Sequence, residues 1–262
     1  MTLRLVQPGL GPSRPLVAMF LVWAGLDDKI RQAFGPGPCI IADHSAKGTE
    51  TMADLVEFAH RTAGVQHVSA IALAGYSAGC QRVRALRLAG VNASAYLLID
   101  GTHASWPPQE WQITWLRELS EEARSGRILL VASHTWQTYT ERLTPPLTPF
   151  ASTLTVLRMA TGFPLKEGGP PEAPAVSHDG ALWVYSYATA ESDPRAHSYQ
   201  AMFVLSKLAG RHVAPWLAGN RETVPTSPKQ HEAQDTSEEG GGLGTALTVG
   251  GLLFLSAGSL FR

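Results

Sequence analysis

With 262 residues and 44% apolar side chains, the chain has material for one large core rather than a small stapled fold. Its net charge of −1 points to neither nucleic acid nor an acidic partner. Two cysteines, Cys39 and Cys80, exclude a disulfide scaffold, and Cys80 reads as a small buried hydrophobe.

Along the chain, apolar runs predict strands at 3–6, 16–22, 39–42, 68–74, 95–99, 128–132 and 182–187. The run at 16–24 is too late and too short for a secretory signal, so none is expected and the domain is expected in the cytoplasm. Between strands, Met52, Leu55, Val56 and Ala59 follow the spacing of an amphipathic helix. Residues 80–86 are helix-compatible, and Pro107-Pro108 opens a helix over 109–123. A last helix starts near Ser198 and is expected to carry Met202, Phe203, Leu205 and Leu208 inward. This alternation predicts an α/β fold, a mostly parallel sheet with helices on both faces, over residues 1–219.

Two stretches interrupt the pattern. The Pro- and Thr-rich segment 135–180 is longer than a crossover needs, which predicts a helix at 152–159 and a candidate lid. The polar, Gly-rich segment 220–242 reads as a disordered linker. Beyond it, residues 243–261 run without a charge for about the length that spans ~30 Å of hydrocarbon. A C-terminal transmembrane or anchoring helix, and with it membrane association, is the expectation there; the alternative is a tail that docks on protein.

Gly75-Tyr76-Ser77-Ala78-Gly79 stands between the strand at 68–74 and the helix-compatible stretch. A G-x-S-x-G pentapeptide in that setting is the pattern of a nucleophile elbow. The serine occupies a strained turn at a helix N-terminus, where unbonded N–H groups face an oxyanion, and the flanking glycines make room for close backbone approach.

Residues from about 15 to 216 resemble the α/β-hydrolase superfamily. The resemblance rests on the block Ile40-Ile41-Ala42-Asp43-His44-Ser45-Ala46-Lys47-Gly48, the amphipathic helix after it, and Val68 through Gly79. Tyr76 beside the serine is also similar to cutinase-like esterases. It implies a serine esterase or lipase-like enzyme that cleaves a small-molecule or lipid-like acyl substrate without metal or other cofactor. The chain order serine, acid, histidine then implies Ser77 as nucleophile and His197, after the last strand, as base; His134 is the runner-up and His178 fits poorly. For the acid it implies Asp100, at the end of the strand 95–99, with Glu141, Glu191 and Asp193 as alternatives. The oxyanion hole would use the backbone N–H of Ala78 with that of Gly25 or Leu26, and Tyr76, His103 and His134 would contact substrate.

Two rival readings remain at this point. Asp43, His44, Asp100, His103, His134 and His197 all fall near carboxyl ends of strands and offer metal-ligand types, but without a fixed spacing such as H-E-x-x-H. The other is a catalytically inactive binding or structural protein of the same fold, tethered by its tail.

Overall fold

Each of the seven apolar runs forms a strand in the computed structural model, which describes residues 3–45, 48–135, 150–166, 168–170, 172–188 and 194–219. The linker expected at 220–242, the apolar helix expected at 243–261, and Glu141, Glu191 and Asp193 lie outside the described residues.

Eight strands form the main sheet: β1 (Leu3–Gln7), β2 (Ser13–Phe20), β3 (Cys39–Asp43), β4 (His67–Tyr76), β5 (Ala95–Ile99), β7 (Leu129–Thr135), β9 (Ala175–Asp179) and β10 (Leu182–Tyr187). Their order is β1-β3-β2-β4-β5-β7-β10-β9. The six inner strands are parallel, and only the edges β1 and β9 run antiparallel to their neighbours. A two-stranded ladder pairs β6 (Ala104–Ser105) with β8 (Phe150–Ala151).

The inner strands read as unbroken apolar runs because both faces are covered. Leu16, Ala18 and Phe20 of β2 face a layer built from α2 (Met52–Ala63), α3 (Gly79–Leu88), α4 (Glu110–Arg124) and α5 (Thr153–Thr161). Val17 and Met19 face the opposite layer, α1 (Asp27–Phe34) and a helical segment at 194–217. Thr51 opens α2 with a capping box: its hydroxyl accepts from Asp54 N–H while its own N–H donates to the Asp54 carboxylate.

The chain leaves β2 toward β3 on one side and leaves β4 toward β5 on the other. The carboxyl ends of β2 and β4 therefore border the switch point where an open α/β sheet forms its crevice. Three residues other than glycine have positive φ among those described: Leu21 (59°), Ser77 (52°) and Asp100 (45°). They follow β2, β4 and β5, three neighbours in the sheet, so the strained backbone is gathered at this one rim. Leu21 also ends β2 two residues earlier than expected, and beyond it Val22 N–H donates to Asp43 O at the end of β3.

The expected lid at 135–180 needs correction. Leu154, Val156 and Leu157 of α5 are core residues, and β9 is a sheet edge, so these parts belong to the main body; 136–149 lies outside the described residues. The last helical segment also differs. It starts with α6 (Pro194–Tyr199), passes a π turn (Gln200–Val204), α7 (Leu205–Leu208) and a second π turn (Ala209–Val213), and ends with α8 (Ala214–Leu217). A turn with i→i+5 bonds rotates the buried face relative to the α-helical period. Ala201, Val204, Leu205 and Leu208 point inward, while Met202 and Phe203 stay 41% and 47% exposed.

Candidate active site

Ser77 joins β4 to α3 in a turn that only glycines could flank. A Cβ on Gly75 would stand 2.6 Å from Cys80 N, and one on Gly79 would stand 2.3 Å from Phe20 O, both rigid backbone atoms. Ser77 N–H donates to Ile99 O at 2.9 Å, tying the turn to the end of β5. Sequence reasoning missed a third glycine. A Cβ on Gly101 would lie 1.9 Å from Ser77 O, so the Asp-Gly after β5 is a close-approach site as well as a strand ending. Cys80 is fully buried beneath the elbow, where its thiol donates to Gly75 O and burial pushes its pKa up.

Asp100 sits at the carboxyl end of β5 with no exposed surface. Its Oδ1 accepts from Thr135 N–H at 3.0 Å, and its Oδ2 accepts from Thr135 Oγ1 at 3.0 Å and from His197 Nδ1 at 2.8 Å. A buried carboxylate is tolerated when hydrogen bonds replace its water, and these three do so. His197, half-buried on α6, is thereby held with Nδ1 toward Asp100, and its Nε2 makes no hydrogen bond among the described residues. Ser77 is half-buried, and no hydrogen bond joins its Oγ to His197 among the described residues.

The three residues expected to contact substrate fare differently. Tyr76 is 7% exposed and turns to His197: the two rings stack at 4.8 Å, and the hydroxyl donates to His197 O at 3.1 Å. Its side chain thus packs on His197 rather than standing open to the crevice. His134 is fully buried in β7, with Nδ1 3.0 Å from Thr135 O and Nε2 2.7 Å from Ser186 Oγ, and burial lowers its pKa. Both nitrogens are engaged inside the sheet, which corrects its assignment to the substrate pocket. His103 is half-buried in the loop after Asp100. Desolvation lowers its pKa to about 4, against a raising effect of Asp100 and with a further lowering by His197, so it is neutral near pH 7. Gln81 of α3 fastens this loop, its side-chain amide donating to Gly101 O at 3.3 Å and His103 O at 3.5 Å. His178, far from the elbow in sequence, stacks on Trp183 in β10.

The backbone N–H groups beside the crevice differ in whether they already have partners. Val22 N–H donates to Asp43 O and Leu26 N–H closes a 3₁₀ turn onto Trp23 O at 3.1 Å, so Leu26 is spent within its own loop, contrary to expectation. The N–H groups of Gly25 and Ala78 have no backbone acceptor among the described residues. Ala78, at the N-terminus of α3, and the loop after β2 flank the crevice at the switch point. Among the described residues no group of three or more His, Cys, Asp and Glu side chains is placed to hold a metal ion.

No family model and no curated protein matches the chain. Among solved structures, it is similar to a Vlm2 thioesterase domain with genetically encoded 2,3-diaminopropionic acid bound with a dodecadepsipeptide. Identity is 11%, the TM-score is 0.32, and the match covers 80% of this chain and 98% of that chain.

Proposed function

We propose that the protein is a serine hydrolase of the α/β-hydrolase type that cleaves an ester or related acyl bond of a small or lipid-like substrate. The single observation that carries this reading is the Asp100–His197 hydrogen bond, formed beside a serine in a strained strand-to-helix turn. Ser77 Oγ attacks the acyl carbon while His197 Nε2 takes its proton, and Asp100 holds the imidazole tautomer and stabilises the imidazolium. The N–H groups of Ala78 and Gly25 donate to the tetrahedral oxyanion. Collapse expels the leaving group with the proton from His197. Water, deprotonated by the same nitrogen, then hydrolyses the acyl-enzyme to the acid and restores Ser77.

A fluorophosphonate probe tests the reading. It labels the wild-type chain, and Ser77→Ala abolishes both the adduct and the hydrolysis of p-nitrophenyl esters of graded chain length. Turnover that persists in Ser77→Ala sinks the proposal. The missing Ser77–His197 hydrogen bond favours the rival reading, an inactive protein that kept the fold, although catalytic contacts often tighten only with substrate bound. An unlabelled wild-type chain decides for that rival.

We also propose that residues 243–261 anchor the chain to a membrane. Among the described residues no helix is long and apolar enough to cross one. Deletion of residues 243–262 should release the protein from the membrane fraction; a truncated chain that still sediments with membranes removes the idea.

A further inference from the structure

Tyr76 and Ser77 are consecutive, yet Tyr76 buries its side chain on the face of the sheet that carries α1 and the C-terminal helices. There its ring lies against that of His197, with planes 29° apart. Its hydroxyl reaches past the ring to the backbone carbonyl of the same histidine. Trp23, from the loop after β2, meets Tyr76 edge-on at 6.1 Å and 71°. The oxyanion loop, the elbow and the base-bearing helix thus each contribute one ring to a single aromatic cluster, in which Tyr76 stacks on His197 and Trp23 meets Tyr76 edge-on.

The acid grips His197 at Nδ1 alone. An imidazole fixed at one atom can still swing about that bond and carry Nε2 away from the nucleophile. A flat surface against the ring face removes this freedom, and a tie to the backbone carbonyl stops the helix from carrying the ring off. Three residues beyond His197 the helix passes into its π turn at Gln200–Val204.

We propose that Tyr76 is a positioning residue that sets the plane of the His197 imidazole and docks its backbone to the elbow. The proposal rests on the hydrolase reading and deepens it. Because Tyr76 and Ser77 share one rigid turn, the nucleophile and the platform for its base move together. The stacked ring also offers its negative face to the imidazolium that forms as Ser77 attacks.

Two substitutions separate the ring from the hydroxyl. Tyr76→Leu removes both and should lower kcat by about 10²-fold, the cost of a small misplacement of a reacting group. KM should stay within roughly twofold, since the lost interaction acts on the chemical step. Tyr76→Phe keeps the stack and should retain kcat within about tenfold, as expected for loss of one hydrogen bond. If the Leu variant does not fold, Tyr76→Met is read in its place. A second readout needs no turnover: the downfield proton resonance of His197 Nδ1–H, assigned by its loss in His197→Gln, should stay sharp in the Phe variant. It should broaden in the ring-less one. An unbroadened resonance in the ring-less variant, or a loss confined to KM, overturns the positioning role. Failure of the hydrolase reading is separate, because it shows as no Ser77 adduct while the resonance still reports on Tyr76.

Discussion

Asp100 Oδ2 lies 2.8 Å from His197 Nδ1, although 97 positions separate them in the chain. The contact fixes the imidazole tautomer with Nδ1 protonated, the form a general base needs. Asp100→Asn keeps the size and removes the charge and the second acceptor. It should lower kcat by about 10⁴-fold, and it should lower the melting temperature too, because an amide N–H then faces the buried donors that the carboxylate accepts from. Steady-state kinetics beside a thermal melt check this, and an undiminished kcat would reassign the acid.

Thr135 grips the same carboxylate twice, through its N–H and its hydroxyl. Thr135→Val retains the backbone bond, keeps the shape and leaves Oδ2 with one donor fewer. The loss of a donor to a buried charged group should cost about 1–3 kcal/mol in urea unfolding. Turnover should fall as well, by less than in Asp100→Asn, because His197 still has its acceptor. A variant as stable as wild type would show that water or a neighbour replaces the hydroxyl.

Gly101→Ala places a methyl group 1.9 Å from Ser77 O, a backbone atom that cannot yield without moving the elbow. Overpacking of this kind costs about 1–3 kcal/mol, and a displaced nucleophile should slow fluorophosphonate labelling by about 10²-fold. Gly37→Ala is the control, since a Cβ there meets nothing within 4 Å. Equal labelling rates for the two variants would contradict the close-approach role of Gly101.

The sheet was legible because parallel strands covered on both faces must be continuously apolar, and all seven runs at 3–6 through 182–187 became strands. The edge strand β9 was not, since Ala175–Asp179 is largely exposed and shows no apolar run. Helix α1 was missed although Leu26, Ile30, Ala33 and Phe34 recur at helical spacing, because the helix is only eight residues long and follows directly on the loop after β2. Asp100 and His197 could be singled out by their positions after strands, and the fold brings the two together. Which histidine lies inside the sheet could not be read: His134 follows its strand in sequence, yet β7 continues through Thr135 by pairing with β10. The exposure of Met202 and Phe203 was misjudged because a 3.6-residue period was assumed across π turns.

Stability should depend on pH through three histidines whose pKa burial holds below the ordinary imidazole value, His103, His134 and His212. His212 is fully buried with Nε2 2.6 Å from the Tyr185 hydroxyl, and burial, aided by Arg211, lowers its pKa to about 3. His103 is lowered to about 4, chiefly by desolvation. In the unfolded chain all three would titrate near ~6.5. Between those values the unfolded state holds protons that the native state does not, so stability rises with pH across the window and levels off above ~6.5. Acidification from about pH 7 toward 4.5 should therefore lower the urea midpoint, each histidine contributing up to about 1.4 kcal/mol per pH unit inside its window. His212→Gln removes one of the three titrations and should flatten the dependence, while His103→Gln should flatten it over the narrower range above about pH 4. A His212→Gln midpoint that falls with acid as steeply as the wild type would mean that His212 does not titrate differently on unfolding. The low native pKa derived from its burial would then be wrong.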